Sequence, residues 1–261
     1  MNSKAITHIK QLPLITANQL HIYKIDLTEF FDVIDALDIP YLSLEEKDRI
    51  NRYKFQKDKI RFGVGRFILR QIFNIYTQHL PESIKFSFNK FGKPYFKNNE
   101  NLKFNISHSG NLLLIGLNKD YEVGVDTEIY NKKIDHLDLA KSVFSKQEQA
   151  ALLALPKHKM ISAFYNCWSL KESFIKAVGL GLQIPLDQFS VNFFKADNTN
   201  SLIDVSWKPA LLNKLISKII YLEKNYSAAC TYDKNIKSLQ LYELTKYAQL
   251  QLSNKLKLLY L

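Results

Sequence analysis

A chain of 261 residues that is 46% hydrophobic and 13% aromatic, with only 8 Gly and 7 Pro, has the apolar content for a buried core and is neither disordered nor low-complexity. Its formal charge of +11 suits an anionic partner, whether nucleic acid, acidic membrane, phosphorylated ligand or acidic protein, or serves solubility alone. The longest apolar runs, such as 112–117, fall far short of the roughly 20 residues of a membrane helix, the N-terminus shows no targeting pattern, and Cys167 and Cys230 lack any metal or CxxC spacing, so a cytosolic protein with two free thiols is expected.

Residues 20–27 alternate Ile22, Lys24 and Asp26 with Tyr23, Ile25 and Leu27 and predict a strand. A capping box at Ser43 and Glu46 opens one helix, and a second helix is predicted over 57–76. Strand 84–89 leads into the turn Phe91-Gly92-Lys93-Pro94, and strands 102–106 and 112–118 flank Ser107-His108-Ser109-Gly110, read as a polar tight connection. A similar order then restarts: strand 122–129 with acidic residues, a capping box at Ser145 and Glu148, a long helix over 163–178 ended by Gly179, and strands near 189–194. The recurrence suggests a duplicated α/β half, with chance as the competing reading. The chain divides accordingly into an N-terminal half (1–118), a C-terminal half (119–232) and a tail (233–261). In the tail a strand precedes an amphipathic helix with Tyr247, Leu250, Leu256 and Leu259, expected to pack on the body.

In Val123-Gly124-Val125-Asp126-Thr127-Glu128-Ile129 the period of two puts Asp126 and Glu128 on one face. Two carboxylates on a rigid strand can hold a hard cation such as Mg²⁺; a solvated acidic face is the plainer reading. On the helix over 163–178, Lys171 falls inside an apolar arc, where its ammonium needs a phosphate or a carboxylate partner unless the stem snorkels out. Glu172 and Lys176 flank that arc as an i,i+4 pair, a simple helix-stabilising couple or part of a strip suited to a metal-bridged diphosphate. Ser107 and His108 end a strand where hydroxyls and backbone N–H groups can cradle a phosphate, although a turn histidine is more often a local partner. Lys93 reads on its own as a loop lysine, and Glu148 as either capping-box or catalytic carboxylate.

Taken in order, Phe104-Asn105-Ile106-Ser107-His108-Ser109, then Val123-Gly124-Val125-Asp126-Thr127-Glu128, then Trp168-Ser169-Leu170-Lys171-Glu172-Ser173-Phe174-Ile175-Lys176 resemble the signature set of 4'-phosphopantetheinyl transferases of the surfactin-synthetase-activating type. The resemblance runs from about residue 43 to 194. It implies an α+β fold, a pseudo-symmetric monomer of two similar α/β halves, with coenzyme A in the cleft between them. It further implies Asp126, Glu128 and Glu172 as ligands of Mg²⁺, with Mn²⁺ as a substitute, and Lys171 and Lys176 beside the substrate phosphates. Lys93, Ser107 and His108 match positions contacting the coenzyme's phosphates, and Arg61 an arginine near its adenosine end. Thr127 stands where the family usually has an aliphatic residue and should point away from the metal face.

The implied reaction moves the phosphopantetheinyl arm onto a serine of an apo acyl or peptidyl carrier protein and releases 3',5'-ADP. Glu172, or Glu148, takes the serine proton, with a metal-bound water as the other option. Asp126 and Glu172 are expected at the rim of the cleft. The same carboxylates would also serve a metal-dependent phosphodiesterase acting on coenzyme A or nucleic acid. A nucleic-acid-binding protein would need its aromatics on an exposed face, whereas many here fall on core positions. The pathway of the carrier, fatty-acid, polyketide or nonribosomal-peptide, is not encoded in these motifs.

Overall fold

The computed structural model describes residues 4–6, 14–31, 35–98, 101–194, 200–205 and 208–244. Its first strands, β1 (Lys4–Ile6) and β2 (Gln19–Asp26), lead through the one-turn α1 (Thr28–Phe31) to α2 (Leu44–Arg52) and α3 (Gln56–Thr77). The capping box expected at Ser43 forms: the Glu46 N–H donates to Ser43 Oγ at 3.2 Å and the Ser43 N–H to Glu46 Oε2 at 2.9 Å. Two donors left open at a helix start are thereby satisfied. Ile60, Val64, Ile68, Leu69, Ile72 and Phe73 of α3 then bury against a sheet containing β2, β5 (Leu102–Ser109) and β6 (Leu112–Lys119). Between α3 and β5 lies the hairpin of β3 (Phe86–Phe88) and β4 (Pro94–Phe96), with Gly92 supplying the positive φ of the turn.

The second unit begins with β7 (Val123–Ile129), followed by α4 (His136–Val143), α5 (Lys146–Leu153) and α6 (Lys157–Val178). The short pair β8 (Phe189–Val191) and β9 (Leu202–Val205) precedes β10 (Leu215–Ile219), β11 (Tyr226–Asp233) and β12 (Ser238–Leu244). The result is a mixed α/β fold with a five-stranded sheet of order β1-β12-β2-β6-β5 and an antiparallel sheet of order β10-β11-β7. β12 pairs parallel to β2, so the start of the C-terminal tail completes the first sheet. The amphipathic helix expected after it lies outside the described residues. Among the described residues no helix is long and apolar enough to cross a membrane. Cys167 and Cys230 are free and buried, as expected.

Two features position the site. The first is Gly124, where an added Cβ would stand 2.0 Å from the Ser173 carbonyl oxygen and 2.4 Å from Ala177 N, so only glycine lets α6 seat directly on β7. Asp126 and Glu128 share the Gly124 face of the strand, and α6 therefore brings Glu172 and Lys176 over them. The second is the seam between the sheets, where the edges β5 and β7 face one another. The strand expected over 102–106 continues through Ser107, His108 and Ser109, and what looks like a polar turn in the sequence is an edge strand whose side chains serve its neighbour. The N–H groups of Val125, Thr127 and Ile129 donate to Asn105 Oδ1 at 2.9 Å, Ser107 Oγ at 3.4 Å and Ser109 Oγ at 3.1 Å. Side chains stand where a sheet would use backbone carbonyls, and two open edges are closed against each other.

Candidate active site

At the middle of the seam Asp126 is only 2% exposed, deeper than the rim position expected for it, because α6 covers the strand. Its Oδ1 accepts from Lys176 Nζ at 2.6 Å and from Ser107 Oγ at 3.0 Å, while its Oδ2 is buried without a hydrogen-bond partner. Lys176 Nζ also donates to Ser107 Oγ at 3.1 Å. One pleat along, Glu128 Oε2 accepts from Ser109 Oγ at 2.8 Å. Burial first, then the Asp126 charge, pushes the Glu128 pKa up to about 7, with Glu172 acting in the same sense. Burial, opposed by Lys176 and reinforced by Asp126, likewise raises Glu172. For Lys176 burial works against the charge, but Asp126, Glu172 and Glu128 outweigh it and hold the ammonium above its ordinary pKa.

Basic side chains gather on the N-terminal side. His108 shares its strand with Ser107 and Ser109; its side chain is exposed, and partial desolvation by the surrounding chain, then Arg61 and Lys176, lower its pKa. Arg61, at the start of α3, donates from Nη1 to Asp58 Oδ1 at 2.7 Å and keeps its Nε buried without a partner. The seam thus carries three mutually coupled carboxylates on one side and Arg61, His108 and Lys176 beside them.

Among the described residues no three metal-type side chains form a ready-made cage, and Lys176 provides the only full positive charge hydrogen-bonded to Asp126. The donor chemistry nonetheless suits a hard divalent cation: the unpartnered Asp126 Oδ2 and the mutual repulsion that raises Glu128 are both relieved by one.

The profile described as 4'-phosphopantetheinyl transferase superfamily matches residues 122–231, and that described as 4'-phosphopantetheinyl transferase, N-terminal, matches residues 36–119. The 4'-phosphopantetheinyl transferase Sfp of Bacillus subtilis is 33% identical over 172 residues, 66% of this chain and 75% of its own length. The 4'-phosphopantetheinyl transferase HetI of Nostoc sp. is 33% identical over 171 residues, 64% of this chain and 72% of its own. This chain belongs to the 4'-phosphopantetheinyl transferase superfamily. A further relative, slr0495 of Synechocystis sp., is 40% identical over 149 residues, and the matched part spans 61% of its length.

Not every residue marked out by the transferase resemblance lies at the seam. Lys171 turns inward and is 1% exposed, with its ammonium 2.8 Å from Glu148 Oε2 and donating to the Leu186 and Phe189 carbonyl oxygens at 2.7 and 2.6 Å. Its partner is thus the carboxylate of the two anions the sequence allowed. Glu148, also 1% exposed, accepts in addition from the N–H groups of Ser145 and Val191, each at 2.8 Å, so it serves its capping box and the α6 ion pair at once. Lys93 is placed at the end of α6: its Nζ donates to the Ala177 carbonyl at 3.1 Å and the Val123 carbonyl at 3.2 Å and pairs with Glu122 at 2.5 Å. A cation at a helix C-terminus meets both the open carbonyls and the dipole. Thr127 points away from the acidic face and donates to the Ser227 carbonyl at 3.1 Å.

Sequence reading did not single out Asn105 and Ser109, although their spacing with Ser107 at i, i+2, i+4 on a strand was available as a signal.

The seam has a titration signature. A carboxyl with a folded pKa near 7, against an ordinary 4.5, holds its proton more tightly in the fold, so its contribution is present below 4.5 and is lost as pH rises through 7. At about 1.4 kcal/mol per pH unit the span is worth on the order of 3 kcal/mol, and water at the half-buried carboxylate reduces this to about 2. His21, pushed down to about 4 by burial, has the opposite slope between 4 and 6.5, so Glu128 is read as a difference. Glu128→Gln and wild type should melt together near pH 4.5, and the variant should be the more stable above pH 7.5, in thermal scans with chelator. Parallel curves across the range would rule out the raised carboxyl.

Proposed function

We propose that this chain transfers the 4'-phosphopantetheine arm of coenzyme A to a serine of an apo acyl or peptidyl carrier protein, with Mg²⁺ or Mn²⁺ as metal and 3',5'-ADP as leaving group. It would act as a cytoplasmic monomer with coenzyme A in the cleft between two related halves, 1–118 and 119–232. The observation that carries this is the convergence of Asp126 and Glu128 from β7 with Glu172 and Lys176 from α6 on the sheet seam, with an anionic oxygen of Asp126 buried and unpartnered. Asp126, Glu128 and Glu172 would hold the divalent ion, which neutralises charge on the diphosphate when bound.

In this reading the serine oxygen forms a bond to the β-phosphorus, the bond from that phosphorus to the bridging oxygen breaks, and 3',5'-ADP leaves with the electron pair. Glu172, half-buried beside Asp126 and Glu128 at the seam, takes the serine proton. Lys176 offsets charge developing on the phosphoryl oxygens and is already fixed by Asp126 and Ser107. Ser107, His108 and Arg61 complete the coenzyme's surroundings at the seam, with Lys93 further along at the end of α6; Arg61 and Lys176 both act electrostatically on His108, which supports an anionic ligand there. Glu148 and Lys171, engaged with each other in the core, orient α6 and contribute to transfer through it. The net charge of +11 favours encounter with an acidic carrier surface.

Incubation with coenzyme A, Mg²⁺ and several apo carrier proteins, followed by intact-mass spectrometry, should show the phosphopantetheine increment on a carrier serine. Free phosphopantetheine with every carrier unmodified would instead support the phosphodiesterase.

A further inference from the structure

The three β5 side chains at the seam differ in what remains to them after accepting a backbone N–H. Asn105 accepts from Val125 and stands next to Gly124, which has no side chain to hold. Ser107 accepts from Thr127 and spends its own proton on Asp126 Oδ1. Ser109 accepts from Ile129 and spends its proton on Glu128 Oε2 at 2.8 Å. The register of two repeats, so each hydroxyl is anchored by one β7 residue and aimed at the carboxylate preceding it. Asp126 has a second support in Lys176, whereas among the described residues the hydrogen bond to Glu128 comes from Ser109. Glu128 is half-buried near the end of β7, and a glutamate has three rotatable bonds to be fixed before its carboxylate keeps one direction.

We infer that Ser109 is a positioning residue, holding the Glu128 carboxylate toward the divalent ion of the reaction. The inference rests on the proposed assignment of Glu128 as a metal ligand. Groups that orient a ligand from behind commonly govern about 10- to 100-fold of metal affinity. The hydroxyl, already fixed by Ile129, orders the glutamate without having to be ordered itself. Losing it leaves an N–H at an exposed strand end, where water can replace it, so the fold should change little.

Mn²⁺ binding in the presence of saturating coenzyme A, followed by the EPR signal of free Mn²⁺, tests this on the full chain. Ser109→Ala should raise the Mn²⁺ Kd about tenfold, and Ser109→Thr, which keeps the hydroxyl, should stay within about twofold of wild type. Ser109→Cys, a weak donor of similar size, should resemble the alanine variant and covers the case in which alanine disturbs the seam. On a Glu128→Gln background Ser109→Ala should add no further loss. Unchanged Mn²⁺ affinity in Ser109→Ala and Ser109→Cys, or an equal loss on the Glu128→Gln background, would overturn the role of Ser109 while leaving the metal site standing. Failure of the wild-type protein to take up Mn²⁺ would overturn both.

Discussion

Asp126→Asn should lower carrier modification by on the order of 10²–10³-fold while moving the melting temperature by only a few degrees. Asparagine fits the space of aspartate and can still accept from Lys176 and Ser107 through one oxygen. It puts an amide NH₂ where Oδ2 lies buried with no partner, which costs about 1–3 kcal/mol, and it removes the repulsion that raises Glu128, which returns part of that. Lys176 also loses its counter-charge, a cost that solvent at its 27% exposed side chain moderates, so the net loss of stability is modest. The loss in chemistry is large, because an amide nitrogen cannot ligate a cation and Lys176 is no longer fixed by that charge. Glu172→Gln should show the same separation of activity from stability, with a smaller cost to the fold, since Glu172 is half-buried. Initial rates by intact-mass spectrometry together with thermal melts decide the matter, and wild-type turnover in Asp126→Asn would remove Asp126 from the metal site.

Local signals carried a good part of this arrangement. Both capping boxes form where Ser43 and Ser145 announce them, α3 follows its apolar period within a residue at each end, α6 stops at a left-handed Gly179, and the alternation in β7 correctly separates Asp126 and Glu128 from Thr127. What could not be read depends on distant partners. Ser107-His108-Ser109 looks like a turn because strand propensity does not encode hydroxyls that satisfy another strand's N–H groups. No element was read over 202–233, where the middle of β11 is built of Ala228, Ala229 and Cys230; these small residues give little strand signal and are used under α6 because the helix packs close. The depth of Asp126 follows from Gly124, whose requirement is set by the α6 backbone and not by its own neighbours in sequence. Lys171 and Glu148 illustrate the same limit: each has a sound local reading, and only the fold shows that they answer each other.

That pair yields the largest stability effect expected of this chain. Lys171→Met keeps the length of the stem and its packing over Phe189, but leaves the Glu148 carboxylate 1% exposed with no cation, and removes the donor to the Leu186 and Phe189 carbonyls. Breaking one side of a buried pair typically costs about 3–5 kcal/mol, which for a chain of this size lowers the melting temperature by roughly 10 °C. Glu148→Gln in the same chain should recover part of the loss, since the unpaired charge disappears while Oε1 can still accept from the Val191 N–H. The pattern also separates the two roles open to Lys171. A residue that orients α6 should lose activity in proportion to its loss of fold, with the remaining folded protein at 20 °C close to wild type in kcat. A residue that touches the transferred phosphoryl group should lose the same stability and, in addition, abolish turnover in the protein that remains folded, and that outcome would mean that Lys171 leaves Glu148 and reaches the seam when coenzyme A binds.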